Sequence, residues 1–350
     1  MYVVATFLFV VVLVFAFLDE RLSATMKLYI LVGMALVMVS MSTFKDIRTT
    51  ADAKYYVNYF ENNDDPLIEI MTEPTYIYLS RLLIAVGTGI ECLFFIYAVV
   101  TIPLKLRAIS KLTPFLFTAL LVYIPVYYLL HDVVQIRAGA AAAFLLLSMY
   151  LLGEKRYIWA VIAFVVGVLF HYSSFVFLPV LIWGNRRLNV PIRFFLAILV
   201  PIGFLMYEKG LDLLSFLPSS LTSGKIDFYK ESAEAGNNWT EFVIPYKNLY
   251  LLSKCLLLFL CLVFYETIYK YNKYINSCLV MLAASIFVNL SMITIPVIAG
   301  RVGDMYGITD AVTFSFCLYF IKPGWVVKCV IAVLGMYMMV YKYLYGGLVV

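Results

Sequence analysis

Charge is what this sequence has least of. Asp, Glu, Lys and Arg make up 13% of its 350 residues, against roughly 25% in a soluble domain. Hydrophobic residues make up 64%, which excludes a water-soluble globular chain. Histidine is nearly absent, with two residues. No HExxH, DxD, Walker or glycine-rich phosphate loop occurs, and Gly87-Thr88-Gly89 is too short to count as one. With no carboxylate cluster inside an apolar run either, no metal centre or other cofactor is expected. The six cysteines sit inside apolar runs without CxxC spacing. They read as small core hydrophobes, neither a disulfide framework nor a metal site. No basic stretch precedes the first apolar run, Tyr2 to Leu18, and Asp19-Glu20-Arg21 follows it directly. It therefore reads as a retained span and not as a signal peptide.

What fills the chain is apolar run after apolar run. Spans are expected near 2–18, 28–43, 90–104, 113–130, 138–152, 157–170, 173–184, 192–206, 249–267, 274–296, 307–321 and 325–343. The fold class is an all-α polytopic integral membrane protein of about twelve transmembrane helices (range 10–13), a single multi-pass domain over 1–350. The segment 157–184 is short for two crossings, so a broken or re-entrant helix is expected at His171. Lys and Arg concentrate in short loops assigned to the cytoplasm, such as Lys105 to Lys111 and Lys270 to Lys273. The net charge of +5 is then an orientation signal and implies no nucleic-acid partner. Two outer segments are long, about 45–74 and 207–248, and chemistry or binding is expected there. Residues 75–86 read as an interfacial helix leading into the third span.

One hairpin organises the polar residues. His131 to Ser174 reads as two apolar segments joined by the basic turn Gly153-Glu154-Lys155-Arg156. A cytoplasmic turn returns both outer ends to one face, one bearing Gln135 and Arg137, the other His171, Ser173 and Ser174. The run Ala138 to Ala143 is small enough for close helix packing. Further polar groups fall on the same side: Arg48, Asp52 and Tyr56; Glu73 before Pro74; and Arg301, Asp304 and Tyr306.

Each group admits two readings. Arg137 and Arg301 either snorkel and pair with Asp132 and Asp304, or converge on an anion, for which guanidinium forks suit phosphate and diphosphate oxygens. His171 either bonds Ser173 or Ser174, or serves as a general base for a hydroxyl. His131-Asp132 is a possible orienting pair for it, with a structural role favoured. Asp52 either recognises sugar hydroxyls with Arg48 and Tyr56, or merely pairs with Arg48 or Lys54. The catalytic candidates are His171, Arg137 and Asp52; the substrate-binding candidates are Arg48, Tyr56, Glu73, Gln135, Arg301 and Tyr306.

The ordered set Arg48…Asp52…Tyr56, Glu73-Pro74…Tyr76, Arg137-Ala-Gly-Ala, Phe170-His171-x-Ser173 and Arg301…Tyr306 resembles the EpsG-like branch of the Wzy-type O-antigen and exopolysaccharide polymerases, over about residues 1–310. One departure is visible: Thr50-Ala51 replaces the glycine often found before the loop aspartate. The resemblance implies a glycosyltransferase of the bacterial inner membrane. It would join polyprenyl-diphosphate-linked oligosaccharides at the periplasmic face, without metal or nucleotide sugar. A flippase and a chain-length regulator are the protein partners this implies, with membrane lipids around the spans. Two rivals stand beside it: another lipid-linked glycan transferase such as an O-antigen ligase, and a polysaccharide transporter or flippase. A transporter predicts internal repeats and midplane charges in several spans; the sequence shows no repeat, and its membrane-depth charges are Glu91 and Lys254.

Overall fold

The computed structural model describes residues 2–50, 52–183, 185–213, 248–292 and 296–344. Among these the chain is α-helical, without a β-strand, as an all-α polytopic membrane protein should be. Backbone donors and acceptors close within each helix, which apolar surroundings demand. Most of the second long outer segment, 214–247, lies outside the described residues.

Seven described helices are long and apolar enough to cross a membrane: Tyr2–Arg21, Ala24–Thr43, Ile90–Leu112, Leu116–Val134, Ile136–Gly153, Val190–Glu208 and Gly324–Lys342. The pair Leu249–Val263 and Tyr265–Tyr271, bent by 79°, makes an eighth if taken as one broken span, where the sequence placed a span near 249–267. The other expected spans are shorter or broken. In chain order the helices used below are α1 (Tyr2–Leu18), α2 (Ala24–Thr43), α3 (Ala53–Glu61), α4 (Pro66–Met71), α5 (Pro74–Ala85), α6 (Ile90–Leu112), α7 (Leu116–Val122), α8 (Ile136–Gly153), α9 (Tyr157–Phe170), α10 (Leu178–Trp183) and α11 (Val190–Glu208). After the undescribed segment come α12 (Leu249–Val263), α13 (Tyr265–Tyr271), α14 (Ile275–Ser291), α15 (Pro296–Gly307), α16 (Asp310–Ser315) and α17 (Gly324–Leu344).

Local chemistry sets many boundaries. Ser23, Asn189 and Asn248 cap α2, α11 and α12, each accepting a backbone N–H three residues on. Pro74 opens α5 at a position where no N–H is needed. Between α7 and α8 the chain winds as a π-helix over Tyr123–Val134, buried almost throughout.

The hairpin α8–α9 packs as the sequence implied. Its turn is tight, with Lys155 in the left-handed region at φ 59° and the Lys155 and Arg156 amides bonded to Leu152 and Leu151 carbonyls. Behind α8 lies the π-helix, and a Cβ on Gly139 would stand 1.9 Å from the His131 carbonyl oxygen. The small-residue run therefore serves backbone contact. After α9 the helix breaks at His171, in extended conformation, and resumes as a 3₁₀ segment Tyr172–Phe177 before α10. This is the break the sequence predicted.

Two placements differ from expectation. Lys105, assigned to a cytoplasmic loop, is inside α6, where its ammonium bonds both Asp132 carboxylate oxygens at 2.8 and 2.9 Å without exposure. Its salt bridge hid it: a charge neutralised inside the bundle looks, in sequence, like a charge at a helix end. Arg301, Asp304 and Tyr306, expected in a loop, are on α15. That helix is fastened by Ser285, which donates to the Gly303 carbonyl at 2.7 Å.

Candidate functional site

Glu73 is the centre of the polar cluster. It holds the N-cap position of α5, yet its carboxylate does not cap the helix. Neighbouring contacts turn it elsewhere: Thr75 donates to the Leu169 carbonyl at 2.8 Å, pinning α5 to the end of α9. Tyr76 donates to the Tyr56 carbonyl at 2.5 Å, pinning α5 to α3. The carboxylate then lies between the two ends of the hairpin. One oxygen takes the Arg137 guanidinium at 2.5 Å and the other takes His171 Nδ1 at 2.5 Å. Glu73 is nearly enclosed, with its side chain 5% exposed, while Arg137 and His171 keep 18% and 15%.

Burial alone would raise the Glu73 carboxyl; Arg137 and the His171 hydrogen bond outweigh it and hold the group down at about 2. An ionised carboxylate only accepts, so His171 Nδ1 must carry the proton that donates to Oε1. The second nitrogen, Nε2, is then the one with a free lone pair in the neutral ring.

Around this triad stands an aromatic cup. The Arg137 Cζ lies 5.6, 5.8 and 5.7 Å from the ring centres of Tyr56, Tyr59 and Tyr76. These faces favour a cation and hold the guanidinium in one place. Tyr56 is buried, which pushes its phenol up to about 12. It serves as a neutral surface.

Asp52, half-buried before α3, feels Arg301, Arg137 and Lys45. Burial nonetheless wins, and its carboxyl is raised above the ordinary range. No ion pair joins it to Arg48 or Lys54 among the described residues. Lys45 is itself buried over the Phe94 ring, 3.8 Å from its centre, and donates to the Val133 carbonyl at 2.7 Å. Burial lowers it to about 7 against the pull of Asp52 and Asp132.

Not every predicted residue joins the cluster. Arg48 is exposed, its amide bonded to Asp46. Tyr306 is buried and gives its hydroxyl to the Val176 carbonyl, tying α15 to the 3₁₀ segment after His171. Gln135 sits at the junction of π-helix and α8, with Oε1 buried and unpartnered among the described residues. The pairing of Arg137 with Asp132 is overturned, since Asp132 is held by Lys105, Thr101 and Tyr123. His171 Nδ1 bonds Glu73 and not Asp132, which Lys105 and Tyr123 hold, and Ser174 donates to the Gly167 carbonyl instead of engaging the imidazole.

Sequence reasoning missed Lys45 and Tyr59 as neighbours of the site, and had Tyr76 only as part of the motif that begins at Glu73. Lys45 carried a legible signal, a basic residue on the side where basic residues are scarce. Tyr59 stands three residues after Tyr56, one helical turn along α3.

The cluster thus gathers Arg137, Arg301 and Lys45, the carboxylates of Glu73 and Asp52, and a histidine whose Nε2 makes no hydrogen bond among the described residues, at the hairpin end opposite the basic turn. No group of His, Cys, Asp and Glu suited to a metal ion occurs among the described residues. The family model for EpsG matches residues 26–347, most of the chain and all of the cluster.

This chain belongs to the EpsG family. The family comprises membrane proteins of the Wzy-type, exopolysaccharide-polymerase-like kind. No curated protein and no solved structure matches this EpsG-family chain.

Proposed function

We propose that this chain is a glycosyltransferase that polymerises polyprenyl-diphosphate-linked oligosaccharide repeat units into a bacterial surface polysaccharide, at the outer face of the cytoplasmic membrane. The observation that carries the reading is the Glu73 carboxylate bridging Arg137 and His171 at 2.5 Å each, in a chain of this family.

The chemistry follows from roles these groups suit. His171 Nε2 accepts the proton of an acceptor sugar hydroxyl as that oxygen bonds the donor's anomeric carbon. The bond from that carbon to the diphosphate breaks, and its electron pair leaves on phosphate oxygen. Arg137 and Arg301, with Lys45 behind them, favour the charge that develops there. Glu73 keeps the imidazole in one tautomer and the guanidinium in one orientation, a positioning role in place of the substrate contact first expected of it. Asp52 and the tyrosine faces suit hydroxyls and sugar rings.

Purified protein supplied with lipid-linked repeat units should lengthen them without nucleotide sugar or added metal. In cells, loss of the protein should remove long chains while single repeat units still reach the surface. Loss of all surface glycan would instead indicate a flippase or a ligase.

A further inference from the structure

A groove of about 770 Å³ runs along the outside of the bundle between the start of α1 and the second half of α2. Its volume is within the range of about 300–1,000 Å³ that ligand sites occupy. The walls are Tyr2 and Val4 on one side and Leu36, Val37 and Met41 on the other. Phe44, 79% exposed, stands at its rim. The surface around it is apolar and outward-facing: Val3 is 83% exposed, Phe7 62% and Leu36 65%. In a membrane these residues meet lipid.

One end has a different character. There the lining changes to Lys45, Asp46, Thr49 and Thr50. Thr50 accepts the Ala53 amide at 3.1 Å, in the turn that presents Asp52. Lys45 lies close enough to act on the Asp52 carboxylate. The groove is therefore mostly apolar along its length, with Ser40 its one polar wall residue there, and polar at the end beside the turn that carries Asp52.

We propose that this groove holds the polyprenyl chain of one lipid-linked substrate, its diphosphate end delivered past Lys45 and Thr50 toward Asp52 and Arg137. The inference rests on the polymerase reading and names the binding surface that reading needs. A hydrocarbon with a polar group at one end matches the change of lining. A bulk phospholipid shares that order of apolar tail and phosphate head, so competition by phosphatidylglycerol decides between the two. Burial of the chain is worth about 25 cal/mol per Å² of apolar surface when the competitor is water. Against lipid that gain is small, so selectivity must come from the polar end.

The test is photolabelling in nanodiscs with a polyprenyl diphosphate bearing a diazirine on its chain. Label is expected on peptides covering residues 34–44, lost on adding unlabelled polyprenyl diphosphate and retained on adding phosphatidylglycerol. Label elsewhere, or displaced equally by phosphatidylglycerol, overturns the proposal and leaves the groove an ordinary lipid contact. A second measurement uses V37W, which fills the groove without touching the cluster. It should raise the KM for long-chain relative to short-chain substrates about tenfold or more, the scale of a lost apolar contact; an unchanged ratio counts against the groove. Labelling needs no turnover, so it separates the two ideas: a wild-type protein that labels but never polymerises sinks the polymerase reading alone.

Discussion

At the residue scale, the triad makes sharply different demands on its members. On the proposed reading Arg137 divides its fork between Glu73 and the substrate diphosphate, so R137K should lose roughly tenfold or more in kcat/KM, because a point ammonium cannot serve both. Polymer length on gels and steady-state rates check this; normal chains from the lysine variant would remove Arg137 from the site. H171Q keeps hydrogen-bonding capacity but not a basic lone pair, and base removal typically costs about 10²–10⁴-fold. A variant polymerising at near wild-type rate would return His171 to a helix-end structural role. Asp52 supplies a pH signature. Its raised carboxyl means the folded chain binds that proton more tightly than the unfolded one, so the stability it lends is present in acid and lost as pH rises through the elevated value. D52N should then melt higher than wild type at neutral pH, converge with it in acid, and polymerise poorly. Glu73 has the opposite sign: its contribution is complete above the ordinary 4.5 and lost as pH falls toward about 2.

Much of this cluster was legible in the sequence, and the reason is topological. A short basic turn forces the ends of a hairpin together, so the sequence alone brings Arg137 and His171 to one face. Glu73 and Asp52 were legible as polar residues on the same side. The direction of each side chain was not. Asp132 and Glu73 are equally plausible partners for Arg137 by position alone; only the fold shows Asp132 turned toward α6 and Glu73 turned inward by the bonds of Thr75 and Tyr76.

At the scale of elements, contact distance sets tolerance. G139A places a methyl where the His131 carbonyl stands, and α8 must retreat from the π-helix. Overpacking of this kind costs about 1–3 kcal/mol, read as a lower melting temperature in detergent. Since α8 carries Arg137, activity should fall further than stability explains. The Lys105–Asp132 pair is a second lever. K105M leaves a carboxylate unpaired at zero exposure and should destabilise by about 3–5 kcal/mol. A thermal shift no larger than that of a surface lysine change would contradict this burial. Boundaries here were harder to read than existence: α6 continues past its predicted end because Lys105, Arg107 and Lys111 are tolerated on a helix as easily as in a loop.

At the scale of the whole molecule, sidedness decides whether the cluster can meet exported glycan. The basic turn Glu154-Lys155-Arg156 is fastened to another loop, since Glu154 pairs with Lys273 at 2.9 Å and accepts from Tyr274 at 2.5 Å. The Glu154 turn and Lys273 both lie in connections expected in the cytoplasm. A single cysteine at Lys155 should react with an impermeant thiol reagent only in inverted vesicles, and one at Tyr55 only in intact spheroplasts. The reverse pattern would put the cluster on the wrong side for exported glycan. The count of spans was less legible than their presence. The break at Phe264 divides a run, 249–267, that composition alone reads as one span.

The π-helix Tyr123–Val134 sets a phase for everything after it. Tyr123 donates to Asp132 at 2.8 Å across nine residues. Two turns of a π-helix take up about nine residues, so the partners share a face. In an α-helix the same interval is about two and a half turns, which puts them on opposite sides. Asp132, and with it the azimuth at which Gln135 and Arg137 enter α8, is therefore fixed by how many residues the wide winding contains. Removing one residue, for instance Leu129, should not merely shorten the segment. It should act as a frameshift in rotation, turning a sequence-perfect Arg137 away from Glu73 while leaving every span still in the membrane.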